Sequence, residues 1–425
     1  MFPQYFASAY FYYVSKFMIK SITSVKVTGR RVIVRAGFDV PLRKNTHTQE
    51  WEVADDTRIT DAIPTLKYLI EQKAKIIIIS HLGRPEGWDM DKGLWPVAQK
   101  LAELLNYKAV KITDRLPDYS VSHVNFLGED ITKKNYSEIS KNLPAGDILF
   151  LENLRFYAGE NENDDKFIEI LESFGDVFVE EGFPVAHRKE SSTYGLALKL
   201  PHYAGIAFLK EIQSLRKILH QPQTPMIVIM GGAKIDDKVE TLHNLAKNAT
   251  KIILGGAIAN TFFKAIGYEV GRSKISNVAL AKELYRQYRE KIFLPIDVVV
   301  ATDLEAKPRL VKLDKIRVNE SIYDIGPQTI SKISEIIKTG KTLVWNGPFG
   351  VFENPKYAFG SKAIAHAFAA QSKGKAFGVV GGGETVELIN QAKVGQFVDH
   401  LSTGGGAMLE FLAGKELPAI KVLEN

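Results

Sequence analysis

The stretch MIVIMGGAK, residues 226–234, decides the fold. Five apolar residues without polar alternation read as a strand buried on both faces, the pattern of a parallel sheet. That strand runs straight into Gly231-Gly232-Ala233-Lys234. In open α/β sheets ligands bind beyond the carboxyl ends of the strands, where glycine lets backbone N–H groups approach a phosphate. The same junction recurs outward from this point. Ile252–Leu254 enters Gly255-Gly256, Ala376–Val380 enters Gly381-Gly382-Gly383, and Leu401-Ser402-Thr403 enters Gly404-Gly405-Gly406. In the first half the corresponding places hold Arg35, His81-Leu82-Gly83-Arg84, Glu152-Asn153-Leu154-Arg155 and His187-Arg188. Arginine and histidine at strand ends supply charged donors for a small anion. One chain thus presents a nucleotide half and a separate anion half.

Short apolar runs alternate with amphipathic segments from residue 30 to 400. First-half strands are expected at Arg31–Arg35, Lys75–Ser80, Asp147–Leu151 and Asp176–Val179. Helices are expected at Thr60–Gln72, 94–105 and 165–174. The second set adds Asp297–Ala301, Thr342–Trp345 and a short strand near 400–402, all read as one parallel set. This alternation predicts an α/β fold: two Rossmann-like, doubly wound parallel-sheet domains joined by a hinge helix around Ile206–Leu219. The expected boundaries are 18–205 and 206–405, with a C-terminal segment, 406–425, returning toward the first domain. Residues 1–17, MFPQYFASAYFYYVSKF, lack the basic leader and cleavage site of a secretory signal and read as a tail outside the fold.

With 425 residues, two cores are the natural expectation. A net charge of +6 without a long Lys/Arg block suits small anions and argues against nucleic acid. No cysteine is present, which removes disulfides, thiolate metal sites and a cysteine nucleophile and is compatible with the cytoplasm. No apolar stretch reaches membrane-spanning length.

None of the glycine clusters fits G-x-x-x-x-G-K-[ST] or a complete G-x-G-x-x-G, so the nucleotide site is of another design. Lys234 and Lys238, four apart, would share one face of a starting helix, either as a solvated surface or as neutralisers of phosphoryl oxygens. Asn346 in Trp345-Asn346-Gly347-Pro348 suits a phosphate or a metal-bound water, and Glu353 suits ribose hydroxyls, with a turn and a core aromatic pair as the plainer reading. Glu384, before Thr385, either carries Mg²⁺ on the phosphates or favours a helix N-terminus. In the first half Arg58 lies beside Asp55 and Asp56, either as a salt bridge or, with Arg84, Arg155 and Arg188, as part of a phosphate-plus-carboxylate site.

At this point the motifs match a family. About residues 20 to 422 resemble phosphoglycerate kinase, through DDTRI (55–59), SHLGRP (80–85), ENLRF (152–156), AHR (186–188), GGAK with the downstream DK (231–238), DIGP (324–327), WNGP (345–348), GVFE (350–353) and STGGGA (402–407). The resemblance implies transfer between 1,3-bisphosphoglycerate and Mg-ADP, giving 3-phosphoglycerate and Mg-ATP. It implies glycerate on the first domain and nucleotide on the second, in a cytoplasmic monomer. Carried over by motif, Arg58 stabilises the transferring group, together with Lys234, Lys238, Gly382 and Gly405. Asp39, Arg58, His81, Arg84, Arg155 and Arg188 bind 3-phosphoglycerate. Lys234, Lys238, Gly255, Gly256, Asn346, Glu353, Gly381, Gly382, Gly383, Glu384 and Thr385 bind ATP or ADP, with Glu384 on Mg²⁺.

The departures gather in the first half. The family's usual Asp-x-Asn after the first strand is Gly37 and Asp39 here, and its Asn-Asp-Ala-Phe-Gly is Glu180-Glu181-Gly182-Phe183-Pro184. A histidine two residues after the arginine of the AHR motif is Glu190. These changes are expected to set negative charge against an anion. One lost hydrogen bond to a charged group costs about 1.5–3 kcal/mol. Gly37→Asp with Asp39→Asn is therefore expected to tighten 3-phosphoglycerate. The alternatives to a divergent kinase are a paralogue with an altered acceptor site and a non-catalytic nucleotide-binding protein. In the second half Glu384 replaces the commoner Asp and Ala257 a third glycine.

Overall fold

The computed structural model describes residues 19–117 and 121–424; the expectation for residues 1–17 lies outside them. The chain forms two compact units, one reaching Lys210 and taking up the chain again from Glu416, the other Glu211–Lys415.

In the first unit β1 (Arg31–Arg35) is followed by a hairpin of β2 (Leu42–Lys44) and β3 (Trp51–Val53). Then come β4 (Lys75–Ile79), β5 (Lys108–Ile112), β6 (His123–Leu127), β7 (Ile148–Leu151), β8 (Val177–Glu180) and β9 (His202–Ala204). Apart from the hairpin these strands form one seven-stranded sheet in the order β5-β6-β7-β4-β1-β8-β9, with every pairing parallel. The apolar runs RVIVR and KIIII take its centre because only a strand covered on both faces can bury four consecutive side chains. Helix Thr57–Glu71 covers one face with Ile59, Ala62, Leu66 and Leu69, which recur at helical spacing. Helix Trp95–Leu105 buries Val97, Ala98, Leu101 and Leu94 beside it.

Strands β5, β6 and β9 were not anticipated. The sequence of β5, KAVKI, carries two exposed lysines, Lys108 and Lys111, because it is an edge strand, so it lacks the continuous apolar run of a central strand. The final helix, Pro418–Leu423, belongs to this unit, and the Ala419 N–H donates to the Ala186 carbonyl at 3.1 Å.

The second unit contains β10 (Met226–Met230), β11 (Lys251–Leu254), β12 (Ile292–Phe293), β13 (Asp297–Ala301), β14 (Arg309–Lys312), β15 (Ser321–Ile325), β16 (Thr342–Asn346), β17 (Phe377–Gly381) and β18 (His400–Ser402). Six of them form a parallel sheet in the order β12-β11-β10-β16-β17-β18. The strand order reverses between β10 and β16, so their carboxyl ends open the crevice where such sheets hold ligands.

One expectation fails here. Asp297–Ala301 is not a strand of the parallel set: β13 sits in a separate antiparallel sheet ordered β14-β13-β15. The connection from Ala301 to Arg309 is too short for a parallel crossover, which needs a dozen or more residues. A turn closed by Asp303 Oδ1, which accepts from the Glu305 and Ala306 N–H groups at 2.9 Å each, reverses the chain instead.

Helix Ile206–His220 contains the boundary between the two units. In the first unit its N-terminus is held by Glu181, whose Oε1 and Oε2 accept from the Ala207 and Phe208 N–H groups at 3.2 and 3.0 Å.

Candidate active site

In the first unit the carboxyl ends of β1, β4, β7 and β8 bring the expected basic residues together. Arg84, Pro85, Arg155, Asn161 and Arg188 line one open pocket. Arg155 is buried at the end of the ENLRF turn, where Asn153 caps a short helical turn by accepting from the Arg155 N–H at 3.0 Å. The Asn153 amide also donates to the Leu82 and Lys92 carbonyls, both at 2.8 Å. The Arg155 guanidinium donates to the Gly83 carbonyl at 2.7 Å. This ties the SHLGRP loop to the ENLRF turn, so Arg84 and Arg155 face the pocket from a fixed frame.

Arg35 ends a strand but does not line this pocket. Fully buried, it donates to Ser192 Oγ at 2.8 Å, to the Ala36 carbonyl at 2.6 Å and towards His81 Nδ1 at 3.0 Å. Burial first, then the charges of Arg35, Arg155, Arg188 and Arg58, push the His81 pKa well below its usual value. His81 is therefore neutral at pH 7, and its Nε2 approach of 3.7 Å to Asp39 Oδ2 is not an ion pair. Arg58 donates to the Asp39 carbonyl.

The departures from the family pattern take places that the sequence did not reveal. Asp39 Oδ1 accepts from the Gly83 N–H at 2.8 Å, so its carboxylate is already engaged by the loop that carries Arg84. Glu181 is a helix cap that also accepts from Thr65, and burial raises its pKa to about 7. Glu180 is fully buried, accepts from the Gly182 N–H at 2.7 Å, and has its pKa raised by burial to about 8. It holds its proton at neutral pH and brings little negative charge. Glu190 alone places a carboxylate among the arginines. The expected accumulation of charge against an anion is thus largely absent, because two of the acids are buried and turned to the backbone.

In the second unit the loops after β10 and β16 interlock at the switch point. The Gly231 N–H donates to the Asn346 carbonyl at 2.9 Å and the Gly232 N–H to the Pro348 carbonyl at 3.0 Å. A side chain on Gly231 would bring its Cβ to 2.1 Å from the Pro348 carbonyl oxygen, so only glycine allows the two loops to touch. Trp345 Nε1 pins the second loop by donating to the Gly347 carbonyl at 2.7 Å. The Asn346 amide spans to the Gly381 carbonyl at 3.0 Å, and Thr385 Oγ1 accepts from the Gly347 N–H at 2.7 Å. These contacts join the ends of β10, β16 and β17 into one rigid rim.

Lys234 and Lys238 do not share a helix face. Lys234 is exposed in the loop, ahead of the 3₁₀ turn Asp236–Lys238, because the α-helix starts only at Val239. Lys238 folds back beneath the glycines and donates to the Gly231 carbonyl at 2.7 Å. Burial lowers its pKa to about 8, and Glu384 and Asp237 partly oppose that shift.

Three helices begin at this rim: Gly256–Ala265, Gly383–Gln391 and Gly406–Leu412. Their N-caps are Gly255, Gly382 and Gly405, and none has a side-chain cap. Gly382 adopts φ +90°, a conformation open to glycine. The Gly256 start is closed by backbone, its Gly256 and Ile258 N–H groups donating to the Phe349 and Gly232 carbonyls at 3.0 and 3.2 Å, whereas the starts at Gly383 and Gly406, with the positive end of the helix dipole, suit a polyphosphate. Glu384 is exposed in the first turn of its helix beside Gly383, and Glu353 is exposed beyond β16. Among the described residues no group of three His, Asp or Glu side chains is arranged to hold a metal ion. Asn161 was missed by the sequence reading, since a lone Asn in the acidic run GENENDD carries no signal of its own.

The comparisons with known proteins agree with this geometry. The family model described as phosphoglycerate kinase matches residues 22–415. A phosphoglycerate kinase of Dictyoglomus turgidum is 39% identical over 418 residues, covering 97% of this chain and 100% of its own length. One from Desulfosudis oleivorans is 40% identical over 416 residues, covering 96% of this chain and 99% of its own length. Among solved structures, phosphoglycerate kinase from Coxiella burnetii superposes with a TM-score of 0.79 at 34% identity, over 96% of this chain and 99% of that one. The enzyme from Pyrococcus horikoshii OT3 gives 0.80 at 29% identity, over 95% and 98%. With a polyphosphate rim at one sheet, an arginine pocket at the other, and relatives matched over almost their whole length, this chain belongs to the phosphoglycerate kinase family and transfers a phosphoryl group reversibly between 1,3-bisphosphoglycerate and ADP.

Proposed function

We propose that the two substrates divide between the two units, and that the residues described above carry out the transfer. 3-Phosphoglycerate binds in the first unit, its phosphate on Arg84, Arg155 and Arg188, with Asp39, His81 and Arg58 toward its glycerate end. The nucleotide binds at the rim of the second unit, its phosphates on the N–H groups following Gly381, Gly382 and Gly383 and on Lys234 and Lys238, with Gly255 and Gly256 shaping the rim beside them. Asn346 and Thr385 brace that rim, and Glu353 meets the ribose. The observation that carries this reading is the pair of glycine-capped helix starts at Gly383 and Gly406 with no side-chain cap.

Glu384 suits Mg²⁺. The ion commonly takes one or two carboxylates and completes its shell with substrate phosphates and water. A single exposed carboxylate beside uncapped N–H groups fits that donor set. When bound, Mg²⁺ would neutralise phosphate charge. In the first unit Arg58 serves the acceptor carboxylate, and in the second Lys234 and Lys238 neutralise the nucleotide phosphates while Gly405 serves the reacting group. No covalent enzyme intermediate is needed, because alignment and charge neutralisation lower the barrier. The two sites use residues of a single chain, and cysteine is absent, which fits a monomer working in the cytoplasm.

Calorimetric titration with ATP, with and without Mg²⁺, tests the metal assignment. Wild-type protein is expected to bind about tenfold more tightly with the metal, and Glu384→Ala to lose that gain. A gain that survives the substitution would remove Glu384 from the metal site.

A further inference from the structure

Glu190 stands among the arginines of the first-unit pocket, yet nothing in the reaction calls for a carboxylate there. Its Oε1 accepts from Arg155 Nη2 and from Arg188 Nη1, both at 3.2 Å. Its Oε2 lies 3.9 Å from Arg35 Nη2 and, although buried, has no hydrogen-bond partner. The Nε atoms of Arg155 and Arg188 are likewise buried without partners. The side chain of Glu190 is only 5% exposed, so water screens its charge poorly. Two of the three arginines that line the open pocket are therefore already bound to an internal anion.

A salt bridge that served stability alone would be paired fully, with both oxygens engaged, since a half-satisfied buried ion is unfavourable. This one is shared by two cations on a single oxygen, and each guanidinium keeps hydrogen-bonding capacity in reserve. From this geometry we infer that Glu190 is a built-in counter-anion. It competes with the incoming phosphate for Arg155 and Arg188 and sets the affinity of the pocket. It holds both guanidiniums in place when the pocket is empty, and it keeps weakly charged anions from occupying the site. A phosphate brings enough charge to draw the arginines partly away, while a singly charged carboxylate does not. Glu190 acts through the arginines and does not touch the reacting atoms, so it is a positioning and affinity-setting residue.

The inference rests on the arginine pocket being the 3-phosphoglycerate site. The test uses the full-length protein, inorganic phosphate and 3-phosphoglycerate as ligands, and steady-state kinetics. Glu190→Gln keeps the shape and the acceptor oxygen but removes the charge. It is expected to tighten both ligands and to lower KM for 3-phosphoglycerate about five- to tenfold, leaving KM for ATP unchanged. Glu190→Asp keeps the charge and is expected to stay within about twofold of wild type for both ligands. A purely structural role would make the two variants alike and would not separate the two KM values. Unchanged or weaker phosphate binding in a folded Glu190→Gln variant would overturn the inference while leaving the site reading intact. In a third arm, Arg84→Gln is expected to weaken 3-phosphoglycerate binding in the wild-type background. If it does not, the pocket reading fails and the inference falls with it.

Discussion

Position 37 shows how a single residue changes meaning between sequence and structure. From the sequence, Gly37 is a lost acceptor contact that a two-residue exchange should restore. In the folded protein a Cβ at Gly37 would lie 3.2 Å from Pro184 Cδ and 3.4 Å from Gly182 Cα, so the space belongs to the neighbouring loop. Gly37, Gly182 and Pro184 thus form one packed unit, and their departures from the family pattern belong together. We expect Gly37→Asp with Asp39→Asn to destabilise the protein by about 1–3 kcal/mol through overpacking and not to tighten 3-phosphoglycerate. Adding Pro184→Gly should recover stability and permit tightening, as read by urea melts and calorimetry on both variants. If the pair tightens binding without the third change, this packing account is wrong. The cations Arg84, Arg155 and Arg188 were legible because their motifs are local. The fate of Glu180 and Glu181 was not, because it depends on Thr65 and on the start of helix Ile206–His220, which the sequence does not place beside them.

Among the elements, strands with continuous apolar runs were legible, whereas the edge strand β5 and the interior strand β6, HVNFL, which carry polar residues, were not. RVIVR, KIIII and MIVIM declare themselves through continuous apolar runs, whereas KAVKI does not, because an edge strand need not be apolar. The lysine pair failed for a related reason: helical spacing predicts a shared face only if the helix has started, and here it starts at Val239. Strand β8 and the loop that follows it also hold buried acids, with a consequence for pH. Glu180 and Glu181 have pKa values of about 8 and about 7, above the ordinary 4.5, because burial disfavours their charged forms. The native state therefore keeps protons that the unfolded chain has released, so stability falls as pH rises from about 5 to 8. Urea midpoints across that range should decline for wild type, and Glu180→Gln should flatten the decline. A midpoint that rises toward pH 8, and is unaffected by Glu180→Gln, would mean that these carboxyls are ionised in the native protein.

At the scale of the whole molecule, the division between glycine-ended and basic strand ends corresponds to two parallel sheets of different chemistry, each in its own unit. The overall α/β class and the two parallel sheets followed from alternation and chain length. The antiparallel sheet of β13, β14 and β15 did not, because β13 resembles a buried parallel strand and only the short connection at Asp303 reverses the chain after it. The central claim is that each substrate depends on one unit. It is tested most directly by measuring KM for 3-phosphoglycerate and for ATP in the Arg188→Gln variant. The account predicts that KM for 3-phosphoglycerate rises at least about tenfold while KM for ATP stays within about twofold of wild type. An equal rise in both values, or a rise confined to ATP, would contradict it.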